Sequence, residues 1–178
     1  MGEQGAREQA VLRAGGNRRH RDKRIPSSRR HLNLEECFRR RLLRRDKPHP
    51  QKAERSLQVS ASKLEQAQRS HSHQIYDASL VLAYTSMFHA ARSILFRDGI
   101  VEKSHVCLVE YLRQEYSRKG LMSEGFVNSL DRMRTDRHEA IYGLETSVTK
   151  DQADHAIAQC REFIEAVRRL ISNTSTPS

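Results

Sequence analysis

From residue 52 onward, apolar residues recur every three or four positions, which is the spacing of one face of an α-helix. Glycines and N-cap residues such as Gly99, Ser104, Gly120 and Gly143 bound the periodic segments. The pattern predicts helices over residues 52–71, 74–98, 104–119, 123–142 and 149–172. No alternating strand pattern and no internal repeat interrupts them. The sequence therefore predicts an all-α fold, a four-to-five-helix, largely antiparallel up-and-down bundle over residues 52–172.

The positive charge is concentrated in the first third of the chain. The 178 residues carry a formal net charge of +10, and residues 1–55 hold 17 Lys/Arg against 7 Asp/Glu. Residues 1–50 contain few large apolar side chains, so they bury too little surface to offset the entropy of ordering. We expect a basic, mostly disordered arm over residues 1–50, with a short helix within 33–46, and a polar tail over 173–178. Three interpretations of the arm stay open. It binds nucleic acid, it is a solvated tail, or it results from translation that starts at a codon placed too far upstream.

The cysteine pattern bears on cofactors and cell compartment. Cys37, Cys107 and Cys160 are scattered and odd in number, and no Cys-x-x-Cys pair occurs. This argues against a disulfide framework and against a zinc site, and we expect neither a metal nor another cofactor. A reducing cytoplasm fits such cysteines. No apolar run approaches the ~20 residues of a membrane span, so we expect no membrane partner.

The second predicted helix carries a first pair of candidate site residues. His89 and Arg92 are three residues apart, so their side chains are neighbours on the helix surface. They are candidates for binding the phosphate of a nucleotide or of RNA. The alternative interpretation is a partly buried core or dimer-interface histidine beside a surface arginine.

The fourth predicted helix carries a second group. Arg132, Arg134, Arg137, His138 and Tyr142 lie within eleven residues. Guanidinium groups match phosphate oxygens, and histidine can shuttle a proton. A metal-independent ribonuclease needs little more, because the ribose 2′-hydroxyl is its nucleophile. Arg137 and His138 are therefore candidate catalytic residues, and the other three are candidate nucleotide- or RNA-binding residues. The alternative is a charged helix face balanced by nearby acidic residues.

At this point the motifs resemble a known family. Residues Tyr84–Arg92, Tyr-Thr-Ser-Met-Phe-His-Ala-Ala-Arg, resemble the Tyr-Tyr-Ala-Met-Phe-His-Ala-Ala-Arg signature of prokaryotic HEPN-domain proteins. Lys103–His105 resembles the family's Lys-Ser/Thr-His, and Arg137–Gly143 resembles its Arg-x-x-Ala-Asp-Tyr segment. The similarity covers roughly residues 52–172 and is greatest to small stand-alone members of the minimal-nucleotidyltransferase-associated type.

The resemblance implies a homodimeric helical bundle that belongs to a toxin–antitoxin or defence-type module. It implies RNA or a nucleotide as ligand, a nucleotidyltransferase antitoxin as partner, and a catalytic Arg-x4–6-His motif. In the expected register the histidine position falls on Tyr142, which makes this motif degenerate. Arg132 and His138 satisfy the spacing one helical turn early.

The two helices are expected to meet at the site. We expect His89 and Arg92 to line a groove that faces the fourth helix, where Arg137 and Tyr142 meet them. Three functions stay open at this stage. The first is a non-catalytic or weakly catalytic partner of a nucleotidyltransferase, and the second is an endoribonuclease toxin that uses Arg137 and His138. The third is a nucleic-acid-binding accessory protein that acts through the basic arm.

Overall fold

The computed structural model describes residues 32–143 and 147–173. Its α-helices are α1 (Leu34–Arg39), α2 (Pro50–Ser72), α3 (Tyr76–Arg97), α4 (His105–Leu112), α5 (Glu124–Tyr142) and α6 (Lys150–Asn173), and α4 continues directly into a π-helical turn over Arg113–Ser117. Two short strands are β1 (Leu43–Arg45) and β2 (Ile100–Glu102). The predicted all-α bundle is confirmed, and each of its five predicted helices has a counterpart in α2 to α6. The two-stranded ladder was not predicted.

Helix α3 forms the centre of the core. It packs against α2, α5 and α6, and its Met87, Ile94 and Leu95 side chains are fully buried. A helix that is apolar over most of its circumference is expected in such a central position. Small polar residues permit close approach to α2, where the Ser86 hydroxyl donates a 2.7 Å hydrogen bond to the Ser60 carbonyl oxygen. From α6, the fully buried Phe163 contributes about 1.5–3 kcal/mol through burial of its ring.

Residues 33–47, which we call the strap, belong to this fold. The Cys37 and Leu43 side chains are buried in the core, and β1 pairs with β2 in antiparallel register, with Leu43 opposite Glu102. The predicted arm over residues 1–50 therefore extended too far along the chain. The strap has too few apolar residues for a core of its own, but it needs few because it packs onto one already formed. Residues 1–31 lie outside the described ranges.

A disulfide joins the strap to the bundle. Cys37 of α1 and Cys107 of α4 are bonded, with Cα atoms 5.7 Å apart. The expectation of unpaired cysteines is therefore wrong for these two, because an arm without structure offered no reason to place residue 37 beside residue 107. Cys160 is a buried free thiol, and burial raises its pKa to about 11. The cytoplasmic location stays a prediction, and the cysteine pattern no longer supports it.

The chain turns sharply between α3 and β2. Gly99 has a φ of +71°, and a Cβ atom placed there would lie 2.4 Å from the Asp46 carbonyl oxygen of the strap. The Asp46 backbone N–H donates to the Gly99 carbonyl oxygen at 2.7 Å. Glycine is therefore required both by the backbone conformation and by the close approach of the strap.

Helix α4 starts immediately after β2. The side chain of Ser104 caps α4 by accepting a hydrogen bond from the Cys107 backbone N–H at 3.4 Å. This cap fixes His105 as the first residue of the helix.

Within residues 32–143 and 147–173, none of the helices combines the length and apolar character needed to cross a bilayer.

Candidate functional site

A compact group of aromatic and basic side chains forms where α3, α5 and the start of α4 meet. The Tyr84 hydroxyl oxygen lies 2.6 Å from His105 Nδ1. The Arg137 guanidinium lies over the Tyr84 ring, 5.1 Å from its centroid. The Phe88 ring stacks on the His105 ring at 4.1 Å between centroids. We call this group, Tyr84, Phe88, His105 and Arg137, the His105 cluster.

Local structure places each member. Tyr84 and Phe88 are four residues apart on α3, so they share one side of that helix. The Ser104 cap directs His105 to the first position of α4, beside them. The core residues Leu130 and Met133 fix the rotation of α5 by burial.

The ionisation states of the cluster follow from burial and from nearby arginines. The pKa of His105 is lowered by burial first, and then by the charges of Arg137, Arg134 and Arg92. Burial raises the pKa of Tyr84 to about 12, although Arg137 and Arg134 oppose that rise. At neutral pH the imidazole and the phenol are therefore both uncharged, and the positive charge of the site resides on the arginines.

The three arginines near His105 differ in how far that charge is neutralised. Arg92 Nε lies 2.7 Å from Oε1 of the buried Glu102, and Arg134 Nε lies 3.0 Å from Asp131 Oδ1. Arg137 forms no ion pair with any residue in the described part of the chain. Its Nε atom is buried and has no hydrogen-bond partner there.

A buried N–H group without an acceptor costs about 1–3 kcal/mol, and more when the group is charged. An anionic oxygen removes that cost by accepting a charge-assisted hydrogen bond. The cluster is thus chemically suited to an oxyanion, and its aromatic side chains exclude water from one side of the guanidinium. It does not need a charged histidine for this purpose.

His138, the neighbour of Arg137 in sequence, is not part of the cluster. Its side chain is 62% exposed, and its ring packs against the ring of Tyr142 at 5.0 Å. Tyr142 is itself 67% exposed at the end of α5. Consecutive residues of a helix project about 100° apart, so Arg137 and His138 serve different surfaces. The catalytic role of the pair stays a prediction.

The expected groove also differs from the structure. His89 lies towards α2, where the Ser56 hydroxyl is 3.5 Å from its Nδ1 atom and donates to its carbonyl oxygen at 2.8 Å. Burial lowers the pKa of His89, with smaller effects from Arg92 and Lys63. Arg92 borders the His105 cluster, but its guanidinium packs on the Phe96 ring at 5.0 Å and pairs with Glu102. The structure thus places His89 beside α2 and Arg92 beside the His105 cluster, while the Tyr142 ring packs against His138.

Arg132 belongs to another part of the surface. Its NH2 atom lies 3.1 Å from His155 Nε2 and donates to Gln159 Oε1 at 3.2 Å, both on α6. It lines a cavity of about 420 Å³ between α5 and α6 together with Asp136. Burial raises the pKa of Asp136, and Arg132 counteracts this effect. Of the predicted residues, the structure therefore brings Arg137, Arg134 and Arg92 to one site.

Sequence reasoning missed the two residues that organise the cluster. Tyr84 opens the family signature on α3, and its side chain is almost fully buried, with 2% of the residue exposed. His105 was noted within a family motif but was not included among the site residues. The signal was present, because a histidine directly after an N-cap serine has a well-defined position. Its contact with Tyr84, 21 residues away, could not be read from spacing.

Across the described ranges, no three His, Cys, Asp or Glu side chains come together in a way that could hold a metal ion.

Comparison with known proteins adds two findings. The family model described as "HEPN domain" matches residues 53–170, which is more than half of the chain. A UPF0332 protein of Archaeoglobus fulgidus is 28% identical over 98 residues, covering 55% of this chain and 78% of that protein. The matched range begins after the strap and contains every member of the His105 cluster.

Proposed function

This chain belongs to the HEPN-domain family, and from that premise we propose that it binds a phosphate group of RNA or of a nucleotide at the His105 cluster. The observation that carries the proposal is the Arg137 guanidinium, which combines a buried, unsatisfied Nε with the absence of an ion pair among the described residues. The partial neutralisation of Arg92 and Arg134 makes Arg137 the strongest anion ligand of the three.

The test compares two neighbouring substitutions that differ in placement. Arg137→Ala removes a half-buried cation whose Nε atom is buried, whereas His138→Ala removes an exposed side chain one residue later. Loss of one charge-assisted hydrogen bond costs about 1.5–3 kcal/mol. We therefore expect Arg137→Ala to weaken binding of a 5′-phosphorylated mononucleotide and of a short RNA by roughly ten- to a hundredfold. His138→Ala should leave the affinity near that of the wild type.

Titration calorimetry and fluorescence anisotropy measure these affinities. Thermal unfolding of both variants checks that each retains the fold. If folded Arg137→Ala binds as tightly as the wild type, the proposed site is wrong. If His138→Ala alone loses binding, the ligand occupies the outer surface of α5 beside Tyr142 instead.

Metal-independent RNA cleavage is the second candidate function, and the uncharged state of His105 favours it. A neutral imidazole can take the proton from a ribose 2′-hydroxyl. The 2′-oxygen then attacks phosphorus, the imidazolium returns its proton to the departing 5′-oxygen, and Arg137 stabilises the charge on the phosphoryl oxygens. Cleavage of labelled RNA in EDTA should then be lost in His105→Ala and Arg137→Ala. If Arg137 and His138 are the catalytic pair, cleavage should be lost in His138→Ala and kept in His105→Ala. Equal background cleavage in all three variants would exclude both catalytic pairs.

The module and partner are part of the same proposal. We propose a toxin–antitoxin or defence-type system in which the protein is a homodimer and a nucleotidyltransferase is its antitoxin. The family membership and the anion-binding character of the cluster support this assignment. Co-expression with the product of an adjacent nucleotidyltransferase gene should yield a stable complex, and light scattering should give twice the chain mass for the isolated protein. A chain that stays monomeric and does not bind that product would contradict the proposed module and partner. It would not affect the proposed phosphate site.

A further inference from the structure

Four exposed basic side chains of the strap take no part in the proposed phosphate site. Arg41, Arg44, Arg45 and Lys47 are all exposed. The single carboxylate within residues 39–47, Asp46, accepts hydrogen bonds from the Lys47 backbone N–H at 2.8 Å and pairs with His49 at 3.1 Å. In the described part of the chain, none of Arg41, Arg44 and Lys47 has an ion-pair partner. We call Arg41, Arg44, Arg45 and Lys47 the basic strip.

The fold holds the strip in a fixed position. The disulfide anchors α1 on one side of it. The β1–β2 ladder and a 2.8 Å bond from the Lys103 N–H to the Leu42 carbonyl oxygen fix its middle. At its far end the His49 N–H donates to the Phe96 carbonyl oxygen at 2.8 Å. Arg41 even adopts a φ of +56°, which non-glycine residues rarely do. A solvated tail would need none of these constraints.

The strip also lies beside the chain that leads into the His105 cluster. In the ladder, Arg44 is opposite Val101 and Leu43 is opposite Glu102, and paired strands lie about 5 Å apart. Glu102 holds Arg92, which is close enough to affect the pKa of His105. Three residues after Glu102 the chain reaches His105 itself. Through its pairing with β2, the strand that carries Arg44 and Arg45 is therefore joined to the segment that leads into the phosphate site.

We propose that the basic strip extends the phosphate site into a track for single-stranded RNA. This inference rests on the proposed function and assigns its ligand class as a polymer in place of a mononucleotide. The repeated phosphates of a polymer can contact several exposed cations that lack carboxylate partners, and such contacts are strengthened by counterion release. The strap precedes residues 53–170, so this track is an addition of the present chain to the matched domain.

The experiment uses two double variants with the same loss of charge. Arg44→Gln/Lys47→Gln removes two strip cations, and Arg69→Gln/Lys150→Gln removes one arginine and one lysine at exposed positions elsewhere. Arg69 lies near the C-terminal end of α2, about 28 Å along that helix from its first residue. The probes are a 5′-phosphorylated mononucleotide and a single-stranded RNA of about 12 nucleotides, each titrated over a range of salt concentrations.

We expect the strip variant to bind the RNA roughly tenfold or more weakly, with the slope of log K against log salt reduced by about 1.4 for two lost phosphate contacts. Its mononucleotide affinity should match the wild type, and the control variant should match the wild type with both probes. RNA binding by the strip variant that equals the control would overturn the track and leave the phosphate site intact. Equal affinity for a duplex of the same length would overturn the single-strand assignment. Loss of RNA binding in the strip variant together with unchanged binding in Arg137→Ala would support the strip and refute the phosphate site.

Discussion

The disulfide between α1 and α4 permits a quantitative prediction about stability. Its two cysteines are 70 residues apart in sequence. A cross-link that closes a loop of this length restricts the unfolded chain, and the chain-entropy relation gives about 4 kcal/mol of stabilisation at 25 °C. For a chain of this size, each kcal/mol changes the melting temperature by about 2–4 °C. Reduction of the bond should therefore lower the melting temperature by roughly 8–16 °C.

The assay is thermal unfolding with and without a dithiol reductant. The wild type should melt at the lower temperature when reduced, and Cys37→Ala/Cys107→Ala should melt low in both conditions. Cys160→Ala provides the control, because it removes the buried free thiol and keeps the cross-link. Trypsin should also cleave the arginines of the strap sooner in the reduced protein. A wild-type melting temperature that does not respond to the reductant, with free-thiol counting confirming reduction, would refute the entropy argument.

Two further predictions concern the turn beside the strap and the cluster histidine. In urea unfolding, Gly99→Ala should destabilise the fold by about 1–3 kcal/mol more than Gly120→Ala. Both glycines have a φ of +71°, so the backbone strain of the substitution is matched. Of the two positions, only residue 99 lies against the Asp46 carbonyl oxygen. Equal losses would mean that the strap does not approach Gly99. Because the pKa of His105 is lowered in the folded state, its contribution to stability is present above about pH 6.5 and is lost as the pH falls below that value. His105→Gln should flatten the decline in urea stability below pH 6.5, His138→Gln should not, and an unchanged slope in His105→Gln would contradict the buried neutral imidazole.

Sequence periodicity predicted the helices well because each helix of the bundle carries a long apolar stripe. It failed for the strap and its partner strand, because β1 and β2 have three residues each and no room for an alternating pattern. At the end of the strap, Pro50 begins α2. Proline suits that position because the first turn of a helix does not use its N–H groups. The disulfide was not predicted either, because its two cysteines meet only through tertiary packing of the strap against α4.

The site shows a similar division between local and long-range information. The group of basic residues on the fourth predicted helix and the resemblance both pointed to Arg137, and Arg134 belongs to the same group. Proximity in sequence also suggested His138, but adjacent helix positions face different directions. The histidine that the fold supplies comes from α4, and its partner Tyr84 comes from α3. Contacts between three helices depend on packing angles that a single sequence does not specify.

The Tyr84–His105 hydrogen bond connects the two candidate functions to one proton. With the imidazole proton on Nε2, Tyr84 donates to Nδ1, and Nε2–H is left to donate to a phosphate oxygen. This tautomer serves binding. With the proton on Nδ1, the imidazole donates to the Tyr84 oxygen, and Nε2 is free to accept the proton of a 2′-hydroxyl. This tautomer serves cleavage. The 2.6 Å separation accommodates both, and the phenol stays protonated in either case because burial raises its pKa to about 12. Arg137, which lies over the Tyr84 ring, attracts the phosphate in both states. In the proposed complex with RNA, a proton on Nε2 of His105 would favour binding alone, and a proton on Nδ1 would leave Nε2 able to start cleavage.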